Sequence, residues 1–378
     1  FSMAFALDLK GNIYVAAVTG KSYPGFGKCF SVLKYNPQGT LIWDRQYADN
    51  NPKYFISIPA DIVLDDNCNI YITGTRLLYD TITFEQGPPH VILTTTYTTL
   101  KYDSAGNLQW VRNKPRLYEI EPLGMNSSKF IDLDASGNIY VSGIMRGFPY
   151  SHSWSPDHYL MDNYDVVTVK YDNNGNEIWT RIFSDKNSQS TPEIPTFPNA
   201  TEELNSMVSD ADGNVYLTGR VYTDSTMAGY ERIPEYFTLK YSTTGETQWA
   251  KYYPGGYSTP TLTNFDYMLY PKDKSIALDD SGNVYVGGGT YDYKNLVLKY
   301  SNNGTLQWAA DENSGGVLNS IRLDNENNVY GAGSSDLVKL NSNGIQEWSE
   351  TTSASAMQLS ANGNSYLITA NGVVTKYD

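Results

Sequence analysis

The sequence predicts an all-β protein assembled from seven copies of one four-stranded antiparallel unit. Three observations predict it. An Asp-x-x-Gly-Asn-apolar-Tyr motif recurs along the chain, a Lys-Tyr-Asp-x-x-Gly-x-x-x-Trp motif alternates with it, and no stretch carries a competing helical period.

The first motif is clearest from Ile131 to Val141, with Asp134, Gly137, Asn138 and Tyr140, and its Asn recurs at Asn12, Asn69, Asn138, Asn214, Asn283, Asn328 and Asn364. The second is clearest from Leu100 to Trp110. Its Lys recurs at Lys34, Lys101, Lys170, Lys240, Lys299, Lys339 and Lys376, and its Trp at Trp43, Trp110, Trp179, Trp249, Trp308 and Trp348. In each motif, alternating apolar residues flank a short Asp/Asn/Gly segment able to take positive φ, which is the chemistry of a β-hairpin.

Two hairpins make four strands, and a four-stranded unit repeating at about 40 residues, the spacing of Trp308 and Trp348, has the length of a propeller blade. The expected architecture is therefore a seven-bladed β-propeller of four-stranded antiparallel blades filling 1–378 as one domain. Its blades fall near 1–50, 51–117, 118–187, 188–256, 257–312, 313–351 and 352–378. The earlier blades carry insertions of roughly 20 to 30 residues on that frame.

These residues resemble the SBBP family of β-propeller repeats, whose unit runs through the same Asp-x-x-Gly-Asn-x-Tyr-Val-x-Gly and Lys-Tyr-Asp-x-x-Gly signatures. The resemblance spans nearly the whole chain and implies a propeller of secreted or surface proteins of bacteria, with no activity common to the family. The chain departs from the pattern where Cys68 and Asn327 replace the turn Gly, Ser360 replaces the turn Asp, and Leu340 replaces the Tyr after Lys339.

Charge and hydropathy narrow the function classes. Lys plus Arg number 27 against 41 Asp plus Glu, for a net charge of -14 that repels polyanions, so nucleic acid is not an expected partner. No apolar run reaches the roughly 20 residues of a membrane-spanning helix. The chain opens at Phe1 without a signal pattern, which reads as part of a longer precursor. Composition and resemblance together lead to an extracytoplasmic expectation: secreted, at the cell surface, or associated with the outer membrane.

Connectivity locates function. In an up-and-down blade, the first-to-second and third-to-fourth turns share one face, and both are short here. The second-to-third connections share the opposite face and hold the long insertions, expected as loops from Gly74 to Thr99, Gly143 to Thr168 and Gly219 to Thr238. Of the 32 Tyr, 13 occupy repeat positions and many of the rest lie in these insertions. Tyr pairs an apolar ring with a polar tip and suits protein surfaces and sugar stacking alike, although the same rings also serve to anchor long loops. The binding candidates are Tyr79, Tyr150, Tyr159 and Tyr230, with the three His, His90, His152 and His158, in the neighbouring insertions of blades 2 and 3.

Other constellations read as scaffold. Asp210 and Asp212, in Asp-x-Asp-Gly-Asn, open like a calcium loop, yet the equivalent third positions vary and no bidentate Glu follows at fixed spacing, so an Asp-closed turn accounts for them. A Lys repeated seven times is expected to pair with the repeated Asp, and the repeated Trp to pack outer strands. Cys29 and Cys68 fall on opposite faces and are not expected to pair.

Three readings follow: a non-catalytic platform holding a protein partner, a carbohydrate-binding propeller, and a hydrolase or lyase using the His-bearing loops with Asp157 and Asp162. The platform leads, because no nucleophile motif, phosphate loop or metal pattern is present in the sequence. The Gly-x-x-x-Trp strand of the last blade is also absent from the sequence. Its outer edge is therefore expected to be open and capped by precursor residues or by a strand from a partner.

Overall fold

The computed structural model describes residues 3–19, 29–47, 54–82, 90–114, 127–146, 164–184, 201–222, 235–254, 274–290, 294–333, 335–352, 354, 356–359, 365–368 and 374–377. Strands and turns account for the regular structure, and no helix occurs among the described residues.

Consecutive strands pair antiparallel in chain order, giving six four-stranded sheets and one of three strands. The first sheet contains β1 (Met3–Leu7), β2 (Ile13–Thr19), β3 (Cys29–Tyr35) and β4 (Leu41–Tyr47). The second contains β5 (Tyr54–Leu64), β6 (Ile70–Ile82), β7 (His90–Tyr102) and β8 (Leu108–Lys114). The third contains β9 (Ser127–Leu133), β10 (Ile139–Arg146), β11 (Tyr164–Tyr171) and β12 (Glu177–Phe183). The fourth contains β13 (Thr201–Ser209), β14 (Val215–Tyr222), β15 (Glu235–Tyr241) and β16 (Thr247–Tyr253). The fifth contains β17 (Ile276–Leu278), β18 (Val284–Gly289), β19 (Lys294–Tyr300) and β20 (Leu306–Gly315). The sixth contains β21 (Leu318–Leu323), β22 (Val329–Gly333), β23 (Asp336–Leu340) and β24 (Gln346–Thr351). The three-stranded sheet contains β25 (Ala356–Leu359), β26 (Ser365–Ile368) and β27 (Val374–Tyr377). The chain divides into two compact units between Glu202 and Glu203, inside β13.

Each described first-to-second-strand hairpin turn follows from its Asp. The Asp134 carboxylate accepts from the Ser136 and Asn138 amides through Oδ1, and from the Asn138 side chain and the Tyr140 hydroxyl through Oδ2, at 2.7–2.9 Å. Gly137 then takes φ +76° and donates its amide to the Asp134 carbonyl. Cys68 and Asn327, standing where glycine is usual, adopt φ 59° and 62° and keep that amide bond. These two departures therefore leave the turn geometry unchanged, while Ser360 lies outside the described residues. Leu340, in place of Tyr, is 1% exposed and pairs with Val329.

The glycine at the end of the Tyr-Val-x-Gly signature also has a steric cause. A Cβ on Gly143 would lie 2.1 Å from the Ser127 carbonyl, and one on Gly219 would lie 2.0 Å from the Glu203 carbonyl, so the first and second strands approach only because these side chains are missing.

Within each unit, consecutive sheets stack face to face. Tyr14, Ala16, Phe30 and Val32 of the first sheet pack on Ile62, Ile70, Ile72, Leu100 and Tyr102 of the second. Tyr71 and Tyr97 of the second pack on Ile131, Val141, Val167 and Val169 of the third. In the other unit Tyr216 and Tyr236 meet Val284, Leu296 and Leu298, and Tyr285 meets Ile321 and Val338. Full burial of each such aliphatic side chain contributes about 1.5–3 kcal/mol.

The repeated Lys does not, as a rule, pair with the repeated Asp. Its ammonium lies over the repeated Tyr ring instead: Lys34 over Tyr14 at 4.8 Å, Lys101 over Tyr71 at 5.1 Å, Lys240 over Tyr216 at 5.0 Å and Lys299 over Tyr285 at 4.8 Å. Lys170 also comes within 3.8 Å of Asp134. The Tyr hydroxyl already occupies the carboxylate, so its ring is the face left to the cation. The repeated Trp closes the set edge-on to the same Tyr, as Trp43 does at 6.3 Å from Tyr14.

Candidate functional site

The second-to-third end of the sheets, where the binding candidates were expected, differs from a set of loops. From Gly74 to Thr99 most of the chain is paired strand: β6 and β7 continue their register from Ile70↔Tyr102 out to Ile82↔His90. This corrects the expected long loop. Its sequence, with Leu77, Leu78, Tyr79, Val91, Ile92 and a run of Thr, is rich in β-branched and aromatic residues that favour a pleated ribbon. The other two insertions are also shorter than expected, since β10 runs to Arg146 with β11 starting at Tyr164, and β14 runs to Tyr222 with β15 starting at Glu235.

Tyr79 and His90 therefore sit on one two-stranded ribbon, Tyr79 opposite Leu93 and His90 opposite Ile82. Both strands have 13 residues against 7 in β2 and β3, and since β5 pairs along β6 as far as Leu78, the two-stranded part runs from Tyr79↔Leu93 to Ile82↔His90 among the described residues. Tyr150, His152, His158, Tyr159 and Tyr230 lie outside the described residues, as do Asp157 and Asp162.

Near the same end, β11 carries a group that motif reading passed over. Asp165, backbone partner of Met145, is 6% exposed, and burial raises its carboxyl to about 6. It is a group able to exchange a proton close to neutrality. Its sequence signal is a carboxylate at the start of the apolar run Tyr164 to Tyr171.

In the second unit, a small cavity of about 10 Å³, open to solvent, is lined by Asn205, Arg220, Tyr236, Ser275, Gly287 and Asn319 among others. Arg220 is buried and paired to Glu203 at 3.0 Å. The Tyr236 hydroxyl donates to the Gly289 carbonyl and accepts from the Gly289 amide. Arg220 and Tyr236 are thus held by Glu203 and Gly289 outside the wall, whereas the buried Asn205 Oδ1 has no hydrogen-bond partner among the described residues.

At the opposite, turn end of the first unit, Ala6, Leu7, Ile62, Leu64 and Leu133 with Asp132 border a wider depression of about 300 Å³. Leu7, Leu64 and Leu133 share one repeat position, directly before the turn Asp. That recurring Leu was legible but unassigned, because a Leu on a half-buried strand ordinarily reads as core.

Asp210, weighed for calcium, accepts from the Asn214 amide and side chain at 2.8 Å and from the Tyr216 hydroxyl at 3.1 Å. Its oxygens already serve the turn. No group of three or more His, Cys, Asp or Glu stands together as a metal site among the described residues. Cys29 and Cys68 are not disulfide-bonded, and Cys68 Sγ lies 4.0 Å from the Asp8 carboxylate. No helix among the described residues is long and apolar enough to cross a membrane.

No family model matches the chain, and no curated protein matches it. Among solved structures it is similar to a virginiamycin B lyase from Staphylococcus aureus at 10% identity, over 84% of this chain and 83% of that one, with a TM-score of 0.40. It is similar to a protein of unknown function from Bacteroides caccae at 11% identity, over 90% and 93%, with a TM-score of 0.39. A gluconolactonase from Xanthomonas campestris aligns at 10% identity, over 85% and 96%, with a TM-score of 0.35. Similarity at this level transfers no residue's role.

Proposed function

We propose that the chain is a non-catalytic binding scaffold, a seven-bladed β-propeller of the SBBP type. It engages a protein partner of the bacterial surface or envelope through the Tyr-bearing segments between second and third strands. One observation carries the reading: the β6–β7 ribbon, which places Tyr79 and His90 on a paired, extended element beyond the sheet. A ribbon ordered by its own hydrogen bonds presents side chains at low entropic cost, which favours recognition.

The repeated polar groups support the same reading. Asp, Asn, Tyr and Lys of each motif satisfy one another inside the repeat, as in Asp134, Asn138, Tyr140 and Lys170, and so serve the scaffold.

The test replaces residues 79–93 by Asn-Gly, so that β6 and β7 turn early. The proposal expects the melting temperature to stay within a few degrees of the parent while an envelope protein captured by the parent, purified and titrated back, loses at least about tenfold in affinity. Undiminished affinity for that protein would overturn it, as would turnover of a substrate abolished by replacing His90, His152 and His158 with Ala.

A further inference from the structure

The two long strands of the second sheet outrun their outer neighbour. β6 pairs along β7 out to Ile82↔His90, whereas β8 pairs with β7 only as far as Tyr97↔Lys114. From His90 to Thr96, no described strand pairs with the side of β7 away from β6. In an antiparallel sheet, every second residue of such an edge turns its N–H and C=O outward, which makes a template for a further strand.

This edge also lacks the charges that the other edges carry. Every outer strand of the four-stranded sheets contains at least one charged residue, from Asp44 in β4 and Lys251 in β16 to Glu350 in β24, and the free stretch of β6 beyond β5 contains Asp80. Charge on an edge discourages a further strand. His90 to Thr96 reads His-Val-Ile-Leu-Thr-Thr-Thr, without Asp, Glu, Lys, Arg or Pro, and its β-branched residues favour a pleated strand.

We infer that the β7 edge from His90 to Thr96 is a self-association surface, on which the same edge of a second copy of this chain pairs antiparallel about a two-fold axis. The composition of the edge selects this occupant. A charged partner strand finds no counter-charge there, whereas a second copy brings an edge that is equally neutral. In a chain of net charge -14, a neutral edge lets two copies approach without setting like charges opposite one another. Pairing over all seven residues sets Leu93 opposite Leu93 of the second copy, Ile92 opposite Thr94 and Val91 opposite Thr95. The two ribbons then form one sheet in the order β6, β7, β7, β6. A two-fold contact of this kind is closed, so it ends at a dimer. The inference uses only the backbone edge of the ribbon, and it stands whether or not the ribbon also holds a protein partner.

The experiment is sedimentation velocity on the purified full chain from about 1 to 200 μM, a range suited to a small interface that dissociates on dilution. A shift from monomer to dimer with concentration is expected. Ile92→Lys with Thr94→Lys sets like charges opposite one another across the two-fold and should raise the dissociation constant at least about tenfold, while Ile92→Lys with Thr94→Glu sets opposite charges there and should restore dimerisation. Melting curves of both double variants accompany the measurement. Should either variant lose the ribbon, hydrogen exchange on the parent decides: amides between Val91 and Thr96 should gain protection as concentration rises. Three results would overturn the inference: a monomer at every concentration, a dimer equally stable in both double variants, or protection of all these amides in the dilute monomer. The last would mean that the chain covers this edge itself.

Discussion

Trp110 Nε1 donates to the carbonyl oxygen of Asn173 at 3.1 Å, tying the outer strand of the second sheet to the outer hairpin of the third. The ring sits where a side chain on Gly175 would be, since a Cβ there would come within 2.9 Å of the indole. The same positive-φ glycine thus serves two needs, the turn and the space for the preceding sheet's Trp.

Gly175→Ala and Gly39→Ala separate those needs. Both residues are left-handed, at φ +78° and +79°, so each substitution costs roughly 1–2 kcal/mol in backbone strain. Only Gly175→Ala also collides with an indole, which adds about 1–3 kcal/mol. Urea titrations should show G175A well below G39A in midpoint, and equal midpoints would mean that Trp110 does not hold the hairpin.

Tyr97 and Tyr236 occupy the same repeat position with opposite polar outcomes. The Tyr236 hydroxyl makes two bonds to Gly289, whereas the buried Tyr97 hydroxyl has no hydrogen-bond partner among the described residues. Tyr236→Phe should cost about 1–3 kcal/mol, and Tyr97→Phe should be neutral or stabilising, because a buried hydroxyl without a partner has already lost its water. Chemical denaturation of the two variants decides the point, and a larger loss for Y97F would contradict it.

Calcium should leave the melting temperature of the parent unchanged, because the Asp210 oxygens are engaged by Asn214 and Tyr216. Asp210→Ala should destabilise by about 1–3 kcal/mol with or without calcium, since the Tyr216 hydroxyl and the Asn214 side chain lose their acceptor. Differential scanning calorimetry with millimolar calcium or with chelator checks this. A calcium-dependent rise in melting temperature that disappears in D210A would restore the metal reading.

How much of this was legible in the sequence depends on where the determining contact lies. The turns were readable, because Asp134, Gly137, Asn138 and Tyr140 act on one another within seven residues. The role of Lys101 was not, since its ring partner Tyr71 lies thirty residues upstream on the adjacent strand and the turn carboxylate is taken by the Tyr hydroxyl. The β6–β7 ribbon was read as a loop because its length hid a register continuing thirteen pairs, from Ile70↔Tyr102 to Ile82↔His90. Of the candidate site, Tyr79 and His90 fall between the second and third strands' motifs but on paired strand, where a loop was expected. The buried Asp165 was missed because no motif marks a single carboxylate that packing removes from water.

Asp165 makes the stability of the fold depend on pH in a defined direction. Burial raises its carboxyl to about 6 from the ordinary 3.8, so between those values the folded chain holds a proton that the unfolded chain has released. The contribution is fully favourable below about pH 4 and is lost progressively as pH rises through 6, after which the folded state carries a buried carboxylate at a cost on the order of 2–3 kcal/mol. Asp165→Asn removes the charge while keeping the shape. It should therefore stabilise the protein at pH 8 by roughly that amount and change little at pH 4, where the parent's carboxyl is already neutral. Other carboxylates oppose this trend in the parent: burial pushes Asp8 up, but hydrogen bonds from Asn12, Lys10 and Tyr14 outweigh it and hold it below the usual range, so acid weakens those turns. The comparison must therefore be made as the difference between D165N and parent at each pH, by urea unfolding at pH 4, 5, 6, 7 and 8. A difference that grows across pH 4 to 7 and then levels is the expected result. A constant difference would mean that Asp165 titrates as it does in water, and a difference of opposite sign would mean that a cation outside the described residues pairs with it.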